Sequence, residues 1–273
     1  MAKILAITNQ KGGVGKTTTS VNLAASLEAV KRRVLLIDLD PQGNATMGSG
    51  VDKSGLQHTV YQVLLGSKGV VDVRVSSTSG KYDLIPANRE LAGAEIELID
   101  LPGRETRLRE ALQEVEQEYD FILIDCPPAL NLLTLNGLCA AKAVVIPMQC
   151  EYYALEGLSD LVNTVKKVRA HFNSTLEIEG LLRTMFDPRN ILAQQVSDQL
   201  QQYFGDRVYR TVIPRNVRLA EAPSFGIPAL YHDRLSKGTR AYLALAREIS
   251  ARYFPESVKP DQQYEQKLEA QKI

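Results

Sequence analysis

Residues 8–18 read TNQKGGVGKTT, two lysines and three glycines set between an apolar strand and a helix start. Before the stretch, Ile4, Leu5, Ala6 and Ile7 make a short buried-strand pattern; after it, Val21, Leu23, Ala24 and Leu27 fall at helical spacing. A loop at such a junction presents unpaired backbone N–H groups and the positive end of the helix dipole to an anion. Gly12, Gly13 and Gly15 let the backbone approach phosphate oxygens without Cβ clashes. The spacing therefore predicts a nucleoside triphosphate site, with the Lys16 ammonium on the β- and γ-phosphates and the Thr17 hydroxyl on Mg²⁺.

The usual P-loop has a glycine where this chain has Gln10, and here Lys11 stands just ahead of the glycines. This deviant Walker A pattern, KGGxGKT, resembles that of the ParA/MinD group of ATPases. Alone, Lys11 would read as a solvated surface lysine. The resemblance implies instead that it crosses a dimer interface to the nucleotide held by the partner subunit. The expected cofactor-binding residues are Lys11, Gly12, Gly13, Val14, Gly15, Lys16, Thr17 and Thr18. The resemblance adds backbone around Pro214, with Asn216, near an adenine.

Two further motifs follow in order. In VLLIDLDPQGN, residues 34–44, an apolar strand ends in Asp38 and Asp40, and strand alternation puts both carboxylates on one face toward the phosphates. The resemblance gives Asp40 the role of orienting or activating the attacking water, with Asp38 near the Mg²⁺ shell. In YDFILIDCPP, residues 119–128, Phe121 to Ile124 lead into Asp125, a Walker B strand whose carboxylate is expected to hold Mg²⁺. Catalytic roles are thus expected for Asp40, Lys16 and Lys11, and metal-binding roles for Thr17, Asp38 and Asp125. No NKxD motif occurs, which favours ATP over GTP.

Strand-like runs near 3–9, 33–38, 82–86, 120–125, 143–148, 176–186 and 208–213 alternate with helical ones at 16–30, 104–118, 131–140, 154–171, 190–204 and 237–252. The alternation predicts an α/β fold, a mostly parallel twisted sheet with helices on both faces. Residues 50–80 read as an excursion at the sheet edge. Residues 1–254 are expected to form a single P-loop ATPase domain and 255–273 a polar tail. A hydrophobic fraction of 44% over 273 residues is ample for a core, yet no apolar run approaches the ~20 residues that span a bilayer. The first strand begins at once, leaving no room for a signal peptide, and a cytoplasmic, nucleoid-associated protein is expected. Cys126, Cys139 and Cys150 form no CxxC and read as buried thiols, against the cluster-bridging cysteines of nitrogenase iron protein, which shares the deviant loop. His58, His171 and His232 are scattered.

A formal charge of zero hides a gradient: residues 101–150 hold four basic and seven acidic side chains, residues 201–250 eight and four. Any such run is first a solvated face. The resemblance shifts the reading toward non-specific double-stranded DNA, with Arg189, Arg218 and Arg215 expected to contact it, as basic residues of this region do in the ATP dimer of ParA proteins. It also implies an ATP-dependent homodimer and a ParB-like centromere-binding partner that stimulates slow hydrolysis. No arginine finger is evident in the chain, consistent with weak intrinsic turnover. The alternative is a MinD-like, membrane-associated division-site placement ATPase. That would need a basic amphipathic C-terminal helix, whereas SVKPDQQYEQKLEAQKI at residues 257–273 carries Pro260 and few apolar residues, so no membrane partner is expected.

Overall fold

The computed structural model describes residues 1–255, so the expected polar tail lies outside the described residues except for Pro255. Seven strands, β1 (Lys3–Ile7), β2 (Val34–Asp38), β3 (Val75–Ser76), β4 (Asp83–Ile85), β5 (Phe121–Asp125), β6 (Ala143–Met148) and β7 (Glu177–Arg183), form one sheet in the order β3-β4-β2-β5-β1-β6-β7. Every pairing is parallel except that of β3 with β4, where the 50–80 excursion returns antiparallel at the edge.

Between Lys3 at the start of β1 and the aspartates that end β2 and β5, the central strands are apolar on both faces because each face of the sheet has its own core. Along β1, Ile4 and Ala6 enter one core while Leu5 and Ile7 enter the other; in β5, Ile122 and Ile124 oppose Phe121 and Leu123 in the same way. Burying each such side chain stabilises the fold by about 1.5–3 kcal/mol. Helix α1 (Lys16–Ala29) and the C-terminal helix Lys237–Tyr253 cover one face through Val21, Leu23, Leu27, Tyr242, Leu245 and Ile249. Helices Leu132–Ala140, Ala154–His171 and Ile191–Phe204 cover the other with Leu133, Leu138, Leu161, Val165 and Leu200.

Two expected elements differ. The run 104–118 is helical only over Arg107–Leu112. Beyond it the backbone continues as turns, with Val115 N–H on the Leu112 carbonyl and Glu118 N–H on the Val115 carbonyl, while the Glu116 carbonyl accepts from Ala2 N–H. The run 208–213 is not a ladder strand. It touches β7 through the Leu181 and Val208 bridge, and Phe186 bridges to Pro214. Between these points the amides of Arg210 and Thr211 are taken by the Glu248 carboxylate, at 2.8 and 3.0 Å, instead of by a neighbouring strand. A side chain of the C-terminal helix thus shapes the segment leading into Pro214.

Removing that acceptor tests the interpretation. Glu248→Ala leaves two backbone donors unpaired and should lower unfolding free energy by about 1–3 kcal/mol in urea titrations. An unchanged midpoint would mean that water replaces the carboxylate without loss.

Candidate functional site

Parallel register brings the three motifs to one edge. Ile7 and Asp38 both lie opposite Asp125, so the P-loop and both acidic motifs emerge at the carboxyl ends of adjacent strands. This is where open α/β sheets bind ligands.

Helix α1 begins without a side-chain cap. Other helices start on Asn131, Asn190, Asn216 or Ser236, whose side chains accept a first-turn amide; α1 starts on Gly15, with no capping hydrogen bond and no acidic residue in its first turn. Its N–H donors are therefore left for an external anion. Gly13 and Gly15 have φ of 74° and 87°, which a side chain resists. A Cβ on Gly12 or Gly13 would meet nothing within 4 Å, so the space beside the loop is open. Lys16 is buried and its ammonium donates to the Lys11 carbonyl at 3.0 Å. Burial lowers its pKa, against the pull of Asp125 and Asp40.

Asp125 is the hub. One carboxylate oxygen accepts from the Thr17 hydroxyl at 2.8 Å and the other from Ser20 at 2.7 Å. Ser20 was not among the sequence-derived candidates, although its place three residues after Thr17 puts it on the same helix face. Thr17 and Asp125 are an oxygen pair of the kind Mg²⁺ takes, beside a cradle for phosphates, and the residues present fit ATP with Mg²⁺. Asp38 and Asp40 do not share one environment. Asp38 is fully buried, with one oxygen accepting from both the amide and hydroxyl of Thr46 at 2.8 Å and the other from Asp40 N–H at 3.1 Å. Asp40 lies beyond the end of β2, half-buried, its carboxylate accepting only from Gln42 N–H at 2.9 Å. Among the described residues it keeps acceptor capacity to spare, close enough to Lys16 to oppose the fall in that lysine's pKa. Desolvation holds both Asp38 and Asp125 above the usual carboxylate range, and Asp38 raises Asp125 further.

Lys11 is exposed and donates to the Glu151 carboxylate at 2.5 Å, 140 residues away, a partner with no signal in the sequence. Pro214 and Asn216 line a cleft of about 240 Å³ that also takes in Gly15, Thr18, Thr184, Met185 and Tyr242. Thr184 fixes the loop by donating to the Val14 carbonyl at 2.8 Å. The expected adenine contacts and the P-loop thus share one cleft, although Asn216 spends its side-chain oxygen on the Leu219 amide.

The expected DNA-contacting arginines are less free than their sequence suggests. Arg189 is held by Asp187, whose pKa falls to about 2 in that pair, and Arg218 by Glu221 and Asp233. Arg215 is exposed with no ion-pair partner among the described residues, and so are Arg234, Lys237 and Arg240, which sequence reasoning did not single out. The three cysteines are buried and unpaired.

A family model described as an AAA domain matches residues 2–178. The chain is 57% identical over 251 residues to the sporulation initiation inhibitor protein Soj of Bacillus subtilis, covering 92% of this chain and 99% of that one. To the chromosome partitioning protein ParA of Caulobacter vibrioides it is 51% identical over 252 residues, 92% and 94% of the two chains. Among solved structures it resembles a cobyrinic acid a,c-diamide synthase from Mycobacterium smegmatis with a bound ATP analogue and magnesium, at TM-score 0.81 and 36% identity, over 94% and 98% of the two chains.

The buried carboxyls make stability depend on pH. Both titrate above the unfolded value of 3.8, so without nucleotide the folded protein binds more protons than the unfolded chain from about pH 4 toward neutrality. The stability they contribute is full at low pH and lost as pH rises. Asp125→Asn removes one charge, and its melting temperature relative to wild type should rise between about pH 5 and about pH 8. A difference that stays flat with pH would remove the carboxylate charge as the cause.

Proposed function

The chain belongs to the ParA/Soj family of chromosome-partitioning ATPases, and on that premise we propose that it is an ATP-timed DNA-binding switch: two subunits sandwich ATP, the dimer binds DNA without sequence preference, and hydrolysis stimulated by a ParB-like protein releases it. The observation that carries this reading is the Thr17 to Asp125 hydrogen bond beside an uncapped helix N-terminus and a buried Lys16. Amides of residues 12–18 and Lys16 take the β- and γ-phosphates. Thr17 and Asp125 would hold Mg²⁺, with Asp38 behind them, and the metal would supply charge neutralisation to the triphosphate. Asp40 orients the attacking water with its half-exposed carboxylate. Lys11, once it leaves Glu151, reaches the partner's nucleotide; the pair is exposed, and such pairs are weak enough in water to exchange. Pro214 and Asn216 border the base.

The DNA surface centres on Arg215, Arg234, Lys237 and Arg240. Arg218 joins them, since its guanidinium meets Asp233, while Arg189 lies beyond β7 near the Phe186 and Pro214 bridge. Phosphate can displace the acidic partners of Arg189 and Arg218, whereas the four unpaired cations lose no protein partner on binding. No helix among the described residues is long and apolar enough to cross a membrane. The tail on which the MinD-like alternative turns, residues 257–273, lies outside the described residues.

The two acting residues separate in direct tests. Asp40→Ala should bind ATP normally, stop hydrolysis and accumulate as a dimer in gel filtration; a monomer with bound ATP would remove Asp40 from water activation. Lys11→Ala should keep monomer ATP affinity and fail to dimerise, and normal dimerisation would refute the crossing lysine.

DNA binding should require ATP and fall steeply with salt, with a logarithmic slope of about −0.9 per phosphate contacted and roughly 4–6 contacts per dimer. Charge reversal of Arg215 or Arg240 should weaken binding to every DNA sequence alike and flatten that slope, more than reversal of Arg189. Equal affinity with ATP and ADP would overturn the switch.

A further inference from the structure

A short hydrogen-bonded chain runs from the end of β4 to the loop that carries Asp40. Ala87 N–H donates to the Thr46 hydroxyl at 2.9 Å, and the Thr46 hydroxyl and amide both donate to one oxygen of Asp38 at 2.8 Å. The other Asp38 oxygen accepts from Asp40 N–H at 3.1 Å. Thr46 and Asp38 are fully buried, so no water competes for these groups. The Thr46 hydroxyl is used twice, as donor and as acceptor, which no aliphatic side chain of its size can reproduce.

The same support is met again from the loop side. Asp40 and Gly43 close a turn, with Gly43 N–H on the Asp40 carbonyl at 2.8 Å. Gly43 has a φ of 60°, and a Cβ there would lie 2.6 Å from the Ala87 carbonyl. The loop is therefore pressed against the end of β4 at Gly43 and tied to it through Thr46. Asp38 spends both its oxygens inside this chain.

From this geometry we infer that Thr46 is a positioning residue: through Asp38 it fixes the backbone of Asp40, and so the place of the Asp40 carboxylate. Thr46 itself is fully buried between Asp38 and Ala87. Its effect on turnover rests on the reading of Asp40 given above; its effect on the loop does not.

The test compares Thr46→Val, which keeps shape but loses the hydroxyl, with Thr46→Ser, which restores it. Amide hydrogen exchange of the segment Asp40–Asn44 in nucleotide-free protein should be about tenfold faster in the valine variant and return to wild type in the serine variant. Turnover number should fall by about tenfold or more in Thr46→Val, because small misplacements of a catalytic group are amplified in rate. Directly titrated ATP affinity should stay within about twofold, and serine should rescue turnover. Wild-type exchange in Thr46→Val, a serine variant no better than valine, or ATP affinity lost in step with turnover would overturn the proposal. Faster exchange with unchanged turnover would keep Thr46 as the anchor of the loop and instead remove Asp40 from catalysis. Should Thr46→Val fail to fold, Asp38→Asn breaks the same chain with its shape preserved, and wild-type exchange at Asp40–Asn44 in that variant would likewise count against it.

Discussion

Asp125, buried at the end of the central strand β5, receives the hydroxyls of Thr17 and Ser20 from the first two turns of α1, and the site depends on this contact. It locks the P-loop helix to the sheet at the one point where β1, β5 and β2 end together. Two hydrogen bonds only partly offset the burial of a carboxylate beside Asp38, which is why both acids are pushed toward their protonated forms. A cation bound beside them would favour the ionised forms instead.

The two acids of the β2 motif divide their labour for the same reason. Asp38 ends the strand inside the protein and must satisfy every lone pair it can, so it binds Thr46 and the amide of Asp40. Asp40, two residues on, has left the sheet, and among the described residues its carboxylate accepts only from Gln42 N–H. A buried carboxylate holding a more exposed one gives the loop a fixed geometry without taking the second carboxylate out of water.

Surface electrostatics follow a different rule. Lys11, Arg189 and Arg218 each sit against an acid of their own chain. These pairs are exposed and screened by solvent, so they organise side chains more than they stabilise the fold. A more highly charged group than a single carboxylate could compete for any of them.

The P-loop, both acidic motifs and the alternation that makes a parallel sheet were legible in the sequence, because each depends on neighbours within a few residues: glycine φ, strand-end acids, helical and strand periods. Five of the six expected helices kept their bounds to within a residue on the same local signals, as did the family, while the short helices between residues 44 and 97 carried too weak a period to be read. Tertiary structure alone decided the rest. Glu248 draws residues 210–211 away from strand pairing, because a carboxylate 38 residues away in the chain takes their backbone amides. The pairing of Lys11 with Glu151, the anchoring of Asp38 on Thr46 and the neutralisation of Arg189 and Arg218 are likewise facts of spatial proximity. Periodicity and motif spacing say which chemistry a residue can do; only the packed chain decides which partner, at hydrogen-bond distance, each polar group meets.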